Sequence, residues 1–420
     1  MPPAGGGPRV VVLGGGPAGL MAAERLATLG CTVDLYEHMP SVGRKLLLAG
    51  RSGLNLTHSE PLPALLARYG EAPLVQAAIR EFDAGDLRGW ADGLGQPTFV
   101  GSSGRVFPTA MRATPLLRAW LGRLGDLGVR IHVRTAWKGW PTVPDGGPTT
   151  IVVQGTDQGG AAKTIRSNAV VLALGGASWP RVGSDGTWAA HLRAAGIDVV
   201  ALRPANCGLQ VAWSPAFAER FTGSPLKNVA VAVGGGEAVR GDVTITARGL
   251  ESGPIYTMSA AARDALESEG VCVLSVDLHP DSSVQEVATR LDRRRPKDSL
   301  STALRRTLGL TPAAVGLLRE ATANRVPSET AALAALVKSV PVAVAGIEPL
   351  ARAISTAGGI AMTEVDERFM LRRLPGVFVA GEMLDWEAPT GGYLLQASFS
   401  TGLAAANGAA EWLGIAVPRG

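Results

Sequence analysis

Glycines at 14, 16 and 19, in the order Gly14-Gly15-Gly16-Pro17-Ala18-Gly19, form a spacing with a chemistry attached. The first permits a tight turn, the second lets backbone approach a pyrophosphate, and the third lets a helix pack closely on a strand. Glu37 stands 23 positions after Gly14, near the ~20 expected of a carboxylate that binds a ribose. Late in the chain, Gly381-Glu382, Asp385 and Gly391-Gly392-Tyr393 again bring glycine and acid together. A carboxylate there can accept hydrogen bonds from further hydroxyls. NAD requires only the first set of contacts. FAD is longer, and its ribitol and flavin require a second set, so the two clusters together point to FAD.

These residues need rigid elements to hold them. Arg9–Leu13 is a short apolar, β-branched run suited to a buried parallel strand. Leu20–Leu26 is rich in good helix formers, and its N-terminus offers free N–H groups to phosphate. Cys31–Glu37 predicts a second strand ending in the acid. Ala169–Leu174, closed by Gly175-Gly176, predicts another parallel strand whose end meets a ligand. A helix is expected from Thr187 to about Ala195, capped by Ser184 or Asp185. Gly376–Glu382 reads as a further buried strand, and a helix with small residues Ala397, Gly402, Ala404, Ala405 and Ala406 follows. That helix's N-terminus would face the pyrimidine edge of a flavin and stabilise negative charge there.

Between these landmarks, residues 40–59 have loop composition. Arg44 and Lys45 stand where a cofactor's phosphate or ribitol would pass, and Asn55 and Thr57 can bond polar cofactor atoms. Residues 61–92 read as helical, Gly104–Pro108 as a turn into a strand, and Leu116–Leu124 as a helix. Val129–Val133 reads as a strand running on toward Trp137, with His132 satisfied or solvated rather than catalytic. Residues 138–168 read as a β-meander with loose tips at Asp145–Pro148 and Asp157–Gly160. From about Pro204 the texture becomes β-rich. Residues 283–339 are helical, broken at Pro296, Pro312 and Pro327. The expected organisation is an α/β protein: 8–204, an inserted domain at 205–345, and a return to the first domain at 346–420.

Composition limits the function classes. The chain has 420 residues, 46% hydrophobic, and a formal charge of +4, too small a balance to call for nucleic acid. The basic run Arg293-Arg294-Arg295-Pro296-Lys297 reads as a solvated helix end. Its three cysteines, Cys31, Cys207 and Cys272, form no C-x-x-C pair, which argues against a zinc site and a dithiol–flavin centre. Residues 1–8 lack a charged segment followed by an apolar one, and no apolar run approaches 18 residues. A soluble cytoplasmic protein is expected, with no metal, and with its oligomeric state open.

The chain resembles the YhiN-like bacterial flavoproteins, of the aminoacetone oxidase or NAD(P)/FAD-dependent oxidoreductase type. The matching stretches are Gly14–Gly19, Gly43-Arg44-Lys45-Leu46, Asn55-Leu56-Thr57, Gly104–Pro108, Leu174–Pro180, Gly249–Pro254, Thr356–Ile360, Gly381–Asp385 and Gly391–Gln396. The resemblance implies a discontinuous Rossmann-type, glutathione-reductase-like FAD domain, interrupted by a β-barrel-like domain with a small helical lobe. It also implies that Gly381, Glu382, Asp385 and the Gly391-Gly392-Tyr393 turn line the flavin end. One stretch departs: where many relatives read Ser-Gly-Gly-Gly-Arg-Cys-Asn-Leu-Thr-Asn, this chain reads Ala49–His58, with Gly53 and Leu54 replacing the Arg and Cys. No chemistry of that Cys or Arg can be carried over.

The expected cofactor contacts are Gly14, Gly16, Pro17, Ala18, Gly19, Glu37, His38, Arg44, Lys45, Asn55, Thr57, Trp137, Leu174, Gly175, Gly176, Gly381, Glu382, Asp385, Gly391, Gly392, Tyr393 and Gln396. Arg105, Glu251, Tyr393 and His58 are possible polar groups near a substrate, and none is assigned as catalytic. The leading expectation is hydride transfer through FAD from NAD(P)H to a small organic acceptor. No second G-x-G-x-x-G marks a nicotinamide site. The alternatives are a flavin oxidase of an amine or carbonyl compound, a flavin-dependent RNA-modifying or RNA-binding protein, and a flavin-bearing redox sensor.

Overall fold

A computed structural model describes residues 7–50, 53–141, 147, 149–156, 160–295 and 297–418. Most of the two meander tips, Arg51-Ser52, Pro296 and residues 1–6 lie outside the described residues. The chain divides into two units: residues up to Arg203 with those from Ser355 onward, and Pro204–Ile354.

The first unit opens as the glycine motif requires. Strand β1 (Arg9–Leu13) leads through the turn to α1 (Pro17–Thr28), then to β2 (Thr32–Tyr36). Next come α2 (Arg44–Ala49), β3 (Thr57–His58), α3 (Leu62–Ala67), α4 (Pro73–Glu81), α5 (Ala84–Gly93), β4 (Thr98–Val100), β5 (Arg105–Pro108) and α6 (Ala113–Asp126). Then follow β6 (Arg130–His132), β7 (Thr135–Trp137), β8 (Thr150–Gly155), β9 (Ala162–Arg166), β10 (Ala169–Leu172), α7 (Trp188–Ala194) and β11 (Val199–Ala205). Two expectations are corrected. Residues 44–49 are helical rather than loop. The strand expected over 129–137 is two strands: β6 joins the main sheet, and Arg134 (φ 53°) turns the chain into the separate antiparallel sheet β7-β8-β9. The strand from Ala169 also stops at Leu172. The side chain of Asp185 holds the Thr187 N–H (3.1 Å) ahead of α7, while Ser184 makes no such bond.

The second unit runs β12 (Leu209–Gln210), α8 (Pro215–Phe221), β13 (Pro225–Val233), β14 (Val239–Thr246), β15 (Gly249–Glu251), α9 (Gly253–Glu269) and β16 (Cys272–Asp277). Four helices follow, α10 (Val284–Leu291), α11 (Leu300–Leu308), α12 (Pro312–Ala321) and α13 (Thr330–Lys338), then β17 (Val340–Val344) and β18 (Gly346–Ile347). Its sheet has the order β17-β16-β13-β14-β15-β12-β18, antiparallel throughout. The chain then completes the first unit with β19 (Ser355–Ile360), β20 (Val377–Val379) and α14 (Tyr393–Trp412).

The main sheet of the first unit has the order β20-β10-β1-β2-β6, all parallel. The chain builds outward from β1 to β2 and β6, then returns to add β10 and β20 on the other side. The carboxyl ends of β1 and β10 therefore flank the topological switch point, where α/β sheets open a ligand crevice. Val10, Val11, Val12, Val170 and Val171 are fully buried there. Glu24, almost fully buried on α1, ties the surrounding helices together. Its carboxylate accepts Trp120 Nε1–H (2.6 Å), Trp90 Nε1–H (3.1 Å) and Arg123 Nη1–H (2.9 Å). Among the described residues, no helix is long and apolar enough to cross a membrane.

Candidate cofactor site at the sheet switch point

The turn after β1 shows why each glycine is needed. Gly14 has φ 105°, and a Cβ on Gly19 would stand 1.9 Å from the Gly14 oxygen. At Gly16 a Cβ would meet nothing within 4 Å, so the space that this glycine leaves faces outward. It precedes the α1 N-terminus, with Pro17 in the first turn and no acidic residue there. Free N–H groups and the positive dipole end thus face that space, which suits a pyrophosphate.

Glu37 directly follows β2 with its carboxylate already oriented. Oε2 accepts the Gly15 N–H (2.9 Å), Oε1 accepts the Met39 N–H (2.8 Å), and His38 Nδ1 lies 3.2 Å from Oε1. A carboxylate has about four acceptor positions, so lone pairs remain for ribose hydroxyls. Trp137 is buried in β7, edge-on to Trp140 (5.0 Å) and His191 (5.1 Å).

The expected flavin end is assembled from distant segments. Glu382 accepts Lys45 Nζ–H (2.7 Å), the Gly176 N–H (3.2 Å) and, through Oε1, the Thr356 N–H (2.9 Å). Lys45 also donates to Ser178 Oγ (2.8 Å), and Thr356 Oγ1 accepts the Ala177 N–H (2.8 Å). This carboxylate therefore joins α2, the turn after β10, the start of β19 and the turn after β20. Thr356 and Ser178 were not singled out from the sequence, although both lie in stretches that carry the resemblance. Leu174 N–H reaches Met383 Sδ (3.1 Å), and Gly175 C=O accepts Trp188 Nε1–H (2.8 Å). Burial pushes the Asp385 carboxyl up, against the pull of Arg203.

Gly391-Gly392 opens α14, a 20-residue helix with no side-chain cap and no acid in its first turn. Gly392 (φ 98°) sits on the backbone of Thr57, where a Cβ would be 2.6 Å away. Tyr393 stacks on His58 (5.4 Å, 21°). Its carbonyl accepts Tyr69 O–H (2.8 Å), and the Arg68 guanidinium carbon stands 5.9 Å from its ring centroid. Burial first, and then Glu60, push the Tyr393 phenol well up, so it stays protonated at neutral pH. His58 Nδ1 accepts the Glu60 N–H (3.1 Å), which leaves Nε2 to donate to Ser103 C=O (3.0 Å). Gln396, whose backbone N–H donates to the Gly392 C=O (2.9 Å), donates from Nε2 to Phe82 C=O (2.8 Å) at the end of α4, and its Oε1 is buried with no hydrogen-bond partner among the described residues.

The residues fit a dinucleotide as long as FAD. Asn55 Oδ1, Thr57 Oγ1, Arg44 Nε, Ser184 Oγ and Trp137 Nε1 are buried with no hydrogen-bond partner among the described residues. Buried polar atoms are rarely left so; with Gln396 Oε1 these make six in the first unit, most in stretches singled out for cofactor contact, and the second unit holds such atoms too, His279 Nδ1 among them. The N-termini of α1 and α14, each without a side-chain cap or an acid in the first turn, belong to the same unit.

Comparison with known proteins shows the family. A family described as HI0933-like protein Rossmann domain matches residues 8–408. The 3-dehydro-bile acid delta(4,6)-reductase of Clostridium scindens is 25% identical over 425 residues, spanning 96% of this chain and 99% of its own. The ribosomal RNA dihydrouridine synthase of Haemophilus influenzae is 23% identical over 402 residues, spanning 94% and 97%. The open conformation of a flavocytochrome c3 fumarate reductase shares the fold, with a TM-score of 0.54 at 14% identity over 97% of this chain and 79% of that one.

Proposed function

The chain belongs to the HI0933-like Rossmann-domain family, a family of FAD-dependent oxidoreductases, and from that premise we propose that it reduces a C=C bond conjugated with a carbonyl, using FAD and a nicotinamide donor. The observation that carries the reading is the set of buried atoms in the first unit with no hydrogen-bond partner among the described residues, Asn55 and Thr57 foremost; the same unit also offers the N-termini of α1 and α14. The acceptor class follows from chemistry common to the two curated relatives' names. A delta(4,6) unsaturation beside a 3-keto group and the uracil ring of uridine are both C=C bonds conjugated with a carbonyl.

FAD, when bound, supplies reversible hydride transfer. The chain's residues supply placement and electrostatics. The α1 N–H groups beyond Gly16 hold the pyrophosphate, and Glu37 holds ribose hydroxyls. Thr57 and Asn55 offer buried polar atoms that have no partner among the described residues. The α14 N-terminus favours negative charge at its mouth. Glu382, anchored by Lys45, fixes the loops after β10 and β20. Tyr393 acts as a neutral hydrogen-bond donor and not as a base.

The test begins with a heat extract of the purified protein, which should contain FAD. Anaerobic mixing with NADH or NADPH should bleach the yellow protein. A 3-keto-4-ene steroid or a uridine oligonucleotide should then restore the colour. A colourless protein refutes the cofactor. Bleaching by an amine with peroxide formation and no response to nicotinamide supports an oxidase instead.

The Haemophilus relative favours a second reading, in which the acceptor is a uracil within RNA. Colour restored by the uridine oligonucleotide and not by the steroid selects it.

A further inference from the structure

The chain's excess of positive charge is gathered in one place. Residues 284–338, the segment of α10–α13, hold ten Lys and Arg against five Asp and Glu, a formal +5 where the whole chain carries +4. The acids there are mostly engaged. Glu286 closes the capping box of α10, and Glu329 caps α13. Asp298 pairs with Arg306 (2.6 Å), and Glu320 accepts the Ser214 N–H and O–H. By contrast Arg293, Arg295, Lys297 and Arg325 are exposed, and no ion pair or side-chain hydrogen bond engages them among the described residues.

Side-chain bonds draw these cations to one end of the helical lobe. Arg294 Nη2 donates to Ser328 C=O (2.7 Å), joining the C-terminus of α10 to the loop before α13. Arg319 Nη2 donates to Ser301 Oγ (3.1 Å), joining the C-terminus of α12 to the first turn of α11. Arg293, Arg295 and Lys297 lie in the first junction, and Arg325 lies in the loop that Ser328 shares.

We propose that this end of the lobe docks the phosphate backbone of helical RNA, an inference that rests on the RNA reading above. Eight of the ten cations are Arg, whose planar fork matches phosphate oxygens. The segment has no Phe, Trp or Tyr, so it offers neither the stacking platform of single-strand binders nor the aromatic anchors of protein interfaces. A membrane fits poorly, because the apolar residues of α10 and α11 (Val287, Leu291, Leu304 and Leu308) are buried. Their one large exposed apolar residue, Val284, is at the opposite end of α10. What remains is contact with phosphates that is independent of sequence.

The test is fluorescence anisotropy of the flavin-loaded full chain with a labelled 24-base-pair RNA duplex. With the four cations named above in contact, log affinity should fall against log salt with a slope of roughly −3 to −4, about a hundredfold from 50 to 200 mM. The variant R293Q/R295Q/K297Q/R325Q should bind at least tenfold more weakly at 50 mM, with a shallower slope and unchanged reduction by the nicotinamide donor. The control R80Q/R118Q, exposed arginines of the other unit, should bind like the parent. No binding at 50 mM, equal binding by the fourfold variant, or binding to phosphatidylserine vesicles without RNA binding would each overturn the proposal. Reduction of the steroid and of uridine oligonucleotides is assayed separately, so loss of docking and failure of the chemistry are distinguished.

Discussion

Replacing Glu382 separates two roles that its position permits, clasp and ligand. In the structure its carboxylate receives the Gly176 and Thr356 N–H groups and the Lys45 ammonium. In Glu382→Ala the two N–H donors lose their acceptor, at about 1–3 kcal/mol each. Lys45 is 30% exposed and keeps Ser178, so its loss adds at most about 1 kcal/mol. The expected destabilisation is about 3–5 kcal/mol. Glu382→Gln keeps one acceptor oxygen and should cost about 1–2 kcal/mol. The assay is urea unfolding of flavin-stripped protein followed by tryptophan emission. Eight of the nine tryptophans lie outside residues 204–354, so the signal reports mainly the first unit. The alanine variant's midpoint should fall by about 1 M or more, and the glutamine variant's by less than half of that. Flavin affinity should fall along with stability, since binding and folding are linked. If the stripped alanine variant unfolds at the parent's midpoint while flavin affinity alone drops, Glu382 is a ligand group and the clasp argument is wrong.

Three further outcomes follow from the same geometry. Gly16→Ala should leave the stripped protein's stability unchanged and weaken flavin binding at least tenfold. Gly19→Ala should lower both, because its Cβ would strike the Gly14 oxygen; equal effects from the two would remove the pyrophosphate reading. Glu24→Ala should cost about 3–5 kcal/mol by leaving two indole N–H groups and Arg123 without their acceptor, and a midpoint within error of the parent would contradict this. Burial alone would raise the Asp34 carboxyl, but hydrogen bonds from Arg130, His132 and Arg9 hold it at about 2, below its ordinary 3.8. The resulting stability, about 2 kcal/mol, is complete above pH 4 and disappears as pH falls toward 2. Asp34→Asn should flatten the acid limb of the stability curve in that window and leave its neutral-to-basic limb parallel to the parent's.

Much of this was legible from local pattern. The run Arg9–Leu13, the glycines after it and the helix formers beyond them all act within about twenty residues, so strand, turn and helix could be read directly. Buried runs such as Ala169–Leu172 and Val377–Val379 stood out because parallel strands are apolar on both faces. What failed was of two kinds. At Arg134 a left-handed residue breaks the strand, and arginine carries no turn signal. At residues 44–49 the flanking glycines and the basic pair concealed a short helix that packs through Leu46. The partners of Glu382 are a different matter: they come from positions 45, 176 and 356, and no local spacing announces contacts made across the chain. The sequence showed an acid where ribitol would pass, but not that the acid was already engaged.

The order of synthesis gives the parallel sheet a vulnerable interval. Strand β10 ends at Leu172, and its outer neighbour β20 begins at Val377. Between them the ribosome makes about 200 residues, roughly 10–40 s of elongation. Throughout that time β10 presents an open edge, and α1 lacks the helix that will press Gly402 against Ala18. Exposed edges recruit other strands. The nascent chain should therefore need a holdase, and its yield should depend on translation speed across the insert. Expressing residues 7–203 and 355–418 joined by a short linker would close the gap and should reduce chaperone capture.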